Sequence, residues 1–250
     1  MLQNETIRQL LDRRSVRVYE DTPVTEEEKA SILLAACNAP TAGNQQLYSI
    51  LDITDREIKN RLAVLCDNQP FIASAPLVLI FAADQQRWYD AYLLENASPR
   101  LPEEGDLILA VTDACIAAQN AVTAAQSLGI GSCYIGDIME NCGKIRSLLD
   151  LPPYVFPCAM LVFGRPAPFP AGSSKPPRFA LSDIVFENRY IRKTGDALRS
   201  AMAVKNTGVR PYADWVRAFC MRKYDSDFSI EMSRSVREYL SSFSGRSDQL

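Results

Sequence analysis

The sequence predicts an α+β fold rather than a doubly wound sheet, on three observations. Two helical patterns precede the first strand pattern, and the later strands alternate irregularly with helices. Gly129-x-Gly131 is followed by Gly136, two positions too late for the Gly-x-Gly-x-x-Gly dinucleotide signature, and the Walker A pattern is absent. At 250 residues the chain is long enough to bury a core without staples, as one large domain or two small ones.

Residues 4–14 carry Ile7, Leu10 and Leu11 on one helical face, with Asn4 or Thr6 placed to cap the start. The basic cluster Arg13-Arg14-Ser15-Val16-Arg17 closes that helix. Thr25-x-x-Glu28 is a capping-box pattern ahead of an apolar run, and Pro40 predicts that this second helix ends near Ala39. Tyr48 to Thr54 alternates as a strand, and a helix follows over 55–66. The unbroken apolar run from Pro76 to Ala83 has the length of a buried strand. Residues 85–105 are less regular. Trp88, Tyr89 and Tyr92 followed by Asn96-Ala97-Ser98-Pro99 predict a mobile helix and loop, a place where substrate contacts often reside.

Asp106 to Leu128 predicts a long helix rich in Ala, Val, Ile and Leu, stopped by Gly129. Asp113, Gln119, Asn120 and Gln126 recur through it and argue against a membrane span. Small and apolar on most sides, it is expected to be buried on most sides. One domain of this size rarely surrounds a helix so completely, so a subunit interface is expected. A strand bordered by glycines follows over 130–136, then a helix over 141–149 and a buried strand from Cys158 to Gly164. Residues 152–177 hold eight of the fifteen prolines and are expected to wrap rather than fold independently. Residues 210–243 read as two polar amphipathic helices. The division expected from this is a main domain over 1–200 and a C-terminal helical extension of the same domain over 201–250.

Composition narrows the chemistry. With 27 Lys+Arg against 30 Asp+Glu the net charge is −3, which argues against a nucleic-acid binder. There is no histidine, hence no Ser-His-Asp triad, no Cys-His pair and no histidine metal ligand. An enzyme built this way needs another acid, base or electron carrier, and a bound cofactor is the obvious one. The seven cysteines, at 37, 66, 115, 133, 142, 158 and 220, fit no zinc or iron–sulfur spacing. They read as reduced core residues of a cytoplasmic protein. The N-terminus lacks the apolar stretch of a signal peptide.

Four clusters could carry chemistry. Arg13, Arg14, Ser15 and Arg17 bring three guanidiniums and a hydroxyl together, a set suited to phosphate, although a solvated basic helix end has the same residues. Pro40-Thr41-Ala42-Gly43-Asn44-Gln45-Gln46 offers hydroxyl, amide and backbone donors, or is an ordinary turn. Tyr134-Ile135-Gly136-Asp137 ends a strand with a glycine that lets backbone approach a ligand. Lys175-Pro176-Pro177-Arg178 pairs two cations with a stiff backbone.

In this order, together with Gln69 before the Pro76 strand, Leu128-Gly129-Ile130-Gly131, Gly164-Arg165-Pro166, Ile184-Val185-Phe186-Glu187-Asn188-x-Tyr190 and Phe228-Ser229-x-Glu231-Met232, the clusters resemble the FMN-dependent nitroreductase family. The similarity is to its branch of NADPH-preferring flavin reductases and oxygen-insensitive nitroreductases. The resemblance implies a central, mostly antiparallel sheet flanked by helices, in an intertwined homodimer whose interface holds the flavin sites. It implies that Arg13, Arg14, Ser15 and Arg17 hold the FMN phosphate and ribityl chain. Pro40, Thr41, Asn44 and Gln46 would contact the flavin, often from the partner subunit. Gln69 would touch it, Tyr134, Ile135, Gly136 and Asp137 would pack against its ring, Arg178 would bind the phosphate, and Arg17, with Lys175, would stabilise negative charge at the N1–C2=O edge of the ring.

The implied activity is a ping-pong transfer of hydride from NADPH or NADH, through flavin N5, to a small-molecule acceptor: a nitroaromatic, quinone or flavin. No side chain is assigned as proton donor. Alternatives on the same fold are a dehalogenase or an ene reductase; a flavin-storage protein lies outside catalysis. The chain departs from the family pattern in its second proline before Arg178. It also has Asp137 where glycine is usual, which adds a negative charge that would oppose a reduced flavin. Lys205 and Arg210 lie where the branch reads the NADPH 2′-phosphate, in imperfect register.

Overall fold

The computed structural model describes residues 4–170 and 172–244. The N-terminal three residues, Ala171 and the last six residues of the expected C-terminal extension lie outside the described residues. Helix α1 (Glu5–Asp12) opens on Asn4, whose side chain accepts from the Ile7 N–H at 2.9 Å. Helix α2 (Glu26–Cys37) starts with the expected reciprocal box. The Glu28 N–H donates to Thr25 Oγ1, and the Thr25 N–H to Glu28. It stops at Cys37, before the expected end, with Asn38 donating its side-chain amide to the Leu34 carbonyl.

The sheet consists of β1 (Tyr48–Asp52), β2 (Leu77–Asp84), β3 (Gly131–Ile135) and β4 (Val155–Gly164). Its order is β1-β2-β4-β3, and each neighbouring pair is antiparallel. Helices α3 (Arg56–Leu65) and α4 (Pro70–Ala73) link the first two strands, and α5 (Gln86–Leu94) follows the second. The two central strands are buried throughout, which explains their unbroken apolar sequence. β4 begins at Val155 rather than Cys158. Pro157 hid its start, because proline lacks a ladder donor. It sits beside an irregularity where Pro157 pairs with Ala82 and Ala159 with Phe81, leaving Cys158 as the extra residue.

Helix α6 (Glu104–Ser127) lies across the sheet and against α2. The 24-residue helix is long and apolar enough to cross a membrane. Here its stripe of Leu107, Ala110, Ala114, Ala117, Ala118, Ala121, Val122 and Ala125 is buried in the main core. Small side chains let helix and sheet approach closely, and the densely packed interior tolerates few voids. In a single chain the burial is one-sided. Ile108 and Leu109 are 62% and 45% exposed, so the expected burial on most sides is not met within one protomer. A second core on the other sheet face joins α3 and α7 (Cys142–Leu149) through Leu62, Ile72, Ile80, Ile138, Ile145 and Met160. All seven cysteines are free. Cys66, Cys133, Cys142 and Cys158 are buried, whereas Cys37, Cys115 and Cys220 are exposed and so are not core residues.

The chain forms two compact units, residues 1–168 with 231–250, and residues 169–230. The division expected at 200/201 falls inside α9 (Gly195–Ala203). The second unit also contains the short α8 (Leu181–Ile184) and α10 (Tyr212–Lys223), and α11 (Asp227–Ser241) continues into the first. Within the second unit, Lys205 Nζ donates to the Pro177 carbonyl at 2.7 Å and lies over the Phe179 ring at 4.4 Å. Lys205 therefore braces the Lys-Pro-Pro-Arg segment. Lys175 is half-buried and Arg178 exposed.

Candidate functional site

The basic segment is seated on the sheet by two glycines. Ser15 bridges to Ser132 of β3, and the Val16 N–H donates to the Ser132 carbonyl at 3.0 Å. A Cβ on Gly131 would meet Val16 Cγ2 at 2.3 Å, so only glycine admits Val16 here. A Cβ on Gly164 would likewise meet Tyr19 Cδ1 at 2.5 Å. Buried Val16 thus acts as the peg that fixes the direction of Arg13, Arg14, Ser15 and Arg17. Arg13 Nη1 is buried with no hydrogen-bond partner among the described residues. A buried guanidinium donor left unpaired is costly, and an anion would satisfy it. Arg17 is exposed, its guanidinium 5.8 Å from the Phe71 ring centroid. Arg14 is half-buried and Ser15 exposed.

The 40–46 loop is tied to α6 by Asp113, 2% exposed. The Thr41 hydroxyl donates to Asp113 Oδ2, the Ala42 N–H to Oδ1 at 3.0 Å and the Leu47 N–H to Oδ2 at 3.3 Å. Thr41 Oγ1 also accepts from the Gln46 N–H at 2.8 Å, and Gln46 Nε2 donates to the Cys37 carbonyl. Gly43, Asn44 and Gln46 all have left-handed φ, at 55°, 58° and 50°. Such conformations persist only where surrounding bonds hold them, as Asp113 and Thr41 do here. Thr41 and Gln46 therefore spend their side chains on the loop itself. Pro40 and Asn44 are exposed. Asp113 is the residue sequence reasoning missed. Its signal is a carboxylate in the alanine-rich middle of α6, past the acidic first turn of Glu104 and Asp106.

Beside β3 the picture differs. Tyr134 is 36% exposed and donates its hydroxyl weakly to Gln119 Oε1 at 3.4 Å. Burial of the ring raises its phenol to about 12, against the opposing pull of Arg13 nearby. Ile135 is buried and Gly136 exposed; a Cβ on Gly136 would find only Met139 Cε, at 3.9 Å. Nothing within the protomer requires glycine there, so the open backbone suits a surface that something else approaches. Gln69 Nε2 donates to Asp137 Oδ2 at 3.0 Å and to the Cys66 carbonyl at 2.8 Å. The fold thus joins two residues that the sequence supplied separately, and Asp137 is held as an acceptor. The first unit gathers the Arg13–Arg17 segment, Gln69 and residues 134–137 around β3. Lys175 and Arg178 lie in the second unit.

Residues 10–165 match the model of the nitroreductase family. The chain belongs to the nitroreductase family. The chain is similar in sequence to the FMN reductase (NADPH) of Bacillus subtilis, with 32% identity over 246 residues covering 96% of each chain. It is 37% identical over 241 residues to the FMN reductase [NAD(P)H] of the same organism, covering 94% of this chain and 91% of that one. Among solved structures, NfrA2 of B. megaterium aligns with a TM-score of 0.82 at 30% identity, covering 97% of this chain and 99% of the other. The α+β architecture with its antiparallel sheet agrees with this nitroreductase assignment.

Proposed function

We propose that the protein is an FMN-dependent NAD(P)H oxidoreductase that reduces a small acceptor: a nitroaromatic, a quinone or a free flavin. The observation that carries the reading is the unsatisfied, buried Arg13 Nη1 on a segment pegged beside the open backbone of Gly136, in a chain that matches FMN reductases over nearly its whole length. When bound, FMN supplies the two-electron chemistry that a histidine-free chain lacks. Arg13, Arg14, Ser15 and Arg17 offer charge and hydrogen bonds to its phosphate and ribityl chain. The resemblance adds Lys175 and Arg178 as anion ligands. Tyr134 and the backbone of Gly136 present the accessible face of this segment, with Ile135 anchored in the second core and backbone N–H groups able to orient the ring. Gln69 fixes Asp137 at its edge. Thr41 and Gln46 act by holding the loop backbone, so that Pro40 and Asn44 are the members left to meet a ligand.

The protein functions as a homodimer in this reading. Exposed Ile108, Leu109 and Ile116 on α6 support it, as do exposed Leu10 and Leu11 on α1 and Leu34 on α2, the two helices that pack against α6. Seven unpaired thiols support a reducing, cytoplasmic compartment. The nicotinamide preference turns on the second unit. Lys205 is already bonded to Pro177, which leaves exposed Arg210 as the freer candidate for a 2′-phosphate.

The test is the visible spectrum of the purified protein before and after heat release of its ligand. Flavin bands that shift on release, at one FMN per chain, are expected. A colourless protein that does not take up added FMN would refute the reading.

A further inference from the structure

Glu140 closes the turn that carries Gly136 and Asp137, and its N–H donates to the Asp137 carbonyl at 3.0 Å. The next residue, Asn141, is left-handed at φ 52° and donates its side-chain amide to the Leu65 carbonyl at 3.0 Å. These bonds hold Glu140 in the interior. It is 6% exposed, and its Oε1 is buried without a hydrogen-bond partner among the described residues.

The charges that act on it are all negative: Asp137 on the same turn, Asp67 after α3, and Glu231 on α11; the Cys66 thiol at the end of α3 also faces it and is itself raised, by burial first and then by Asp137 and Glu140. Glu231 is committed elsewhere. It accepts from the Asn141 N–H at 3.1 Å, from the Ser235 hydroxyl at 2.8 Å and from Arg234, and the Arg234 guanidinium draws its carboxyl down to about 2. Arg234 in turn is shared between Glu231 and Glu238. Glu140 therefore faces acidic neighbours, with no cation acting on it among the described residues. A buried carboxylate in such surroundings is disfavoured relative to the neutral acid. Burial first, then the like charge of Asp137 on the same turn, pushes Glu140 up to about 7.

We propose that Glu140 is a positioning residue whose carboxyl holds a proton in a hydrogen bond to the Asp137 carboxylate, and so sets the charge that Asp137 presents to the bound flavin. The inference rests on the flavin reading above. With the proton in place the Glu140–Asp137 pair carries one negative charge. When it leaves to solvent the pair carries two, the Glu140 charge held apart from water, beside the site of a group that gains negative charge on reduction. Asp137 Oδ2 accepts from Gln69, whereas the Glu140 carboxyl is buried with Oε1 unpartnered among the described residues, which makes Glu140 the member that binds or releases the proton. No alternating pattern or motif marks this arrangement in the sequence, because its members come from four separate segments.

The test uses Glu140→Gln, whose amide can donate to Asp137 as the acid does but cannot ionise. In the FMN-loaded protein the midpoint potential is measured against pH for wild type and variant. The two curves are expected to coincide below neutrality, with the wild type falling below the variant above about pH 7. Coincidence at every pH would overturn the proposal. Asp137→Asn is the second variant, and removal of the like charge is expected to move the wild-type inflection to lower pH; an unmoved inflection would also overturn it.

The FMN-free protein gives an independent readout. Native Glu140 binds its proton more tightly than the unfolded chain does. Its contribution is therefore complete below the ordinary value of 4.5 and is lost as pH rises through about 7. The melting temperature of the wild type is expected to fall relative to Glu140→Gln across that window, and parallel profiles would refute the shared proton. If the protein bound no FMN yet showed the melting difference, the flavin part of the proposal would fall and the shared proton would be supported.

Discussion

The 41–47 loop and the 134–141 segment are built on opposite principles. In the first, one buried carboxylate, Asp113, collects the Thr41 hydroxyl and the N–H groups of Ala42 and Leu47, and the side chains of Thr41 and Gln46 are consumed locally. In the second, a glycine lacks any packing reason within the protomer and a buried carboxyl oxygen lacks a partner. The loop is a finished structural unit that presents its exposed Pro40 and Asn44. The segment beside β3 leaves the backbone at Gly136 open, which is what a wall against a cofactor requires, and turns Glu140 inward toward Asp137. A functional surface is thus recognisable by what its own fold leaves unsatisfied, as at Arg13 Nη1.

The largest effect is expected from breaking the finished loop. Asp113→Ala strips a buried acceptor from three donors at once and is expected to cost about 3–5 kcal/mol, read by denaturant unfolding. Next is the opposite wall. Arg13→Gln removes an unpaired charge, so it is expected to leave folding nearly unchanged while weakening FMN binding by about 10- to 100-fold, read by fluorescence titration. Gly131→Ala drives a Cβ into Val16 and is expected to destabilise by about 1–3 kcal/mol, moving the basic segment with it. The smallest is Gln69→Leu, which removes two hydrogen bonds, to half-buried Asp137 and to the Cys66 carbonyl, and is expected to cost about 1–2 kcal/mol by thermal unfolding. If Asp113→Ala and Gln69→Leu cost the same, the contrast between the two regions would be wrong.

The sequence made the skeleton legible. The Thr25–Glu28 box, the apolar strand runs and the long alanine-rich helix each carry a local signal, and each appears within a few residues of its expected bounds. Three short helices, α4, α8 and α9, were not anticipated. The first two span only four residues, too few for a period to register, and all three lie in turn-rich stretches. The site was legible as a set of clusters but not as a circuit. That Asp113 organises the 41–47 loop from 66 to 72 positions away, or that Gln69 grips Asp137 across 68, follows only from the packing of α6 on the sheet and of the α3–α4 turn beside β3. Side chains that serve a loop internally, as Gln46 does, look identical in sequence to ones that would serve a ligand.

The most direct measurement is anaerobic addition of NADPH, and separately NADH, to the FMN-loaded protein, with the flavin absorbance followed by stopped flow. Rapid bleaching by at least one nicotinamide, reversed by one equivalent of a quinone or nitroaromatic after the nicotinamide is spent, is the predicted result. Full FMN occupancy with no bleaching by either donor would contradict the account and leave a protein that only holds flavin.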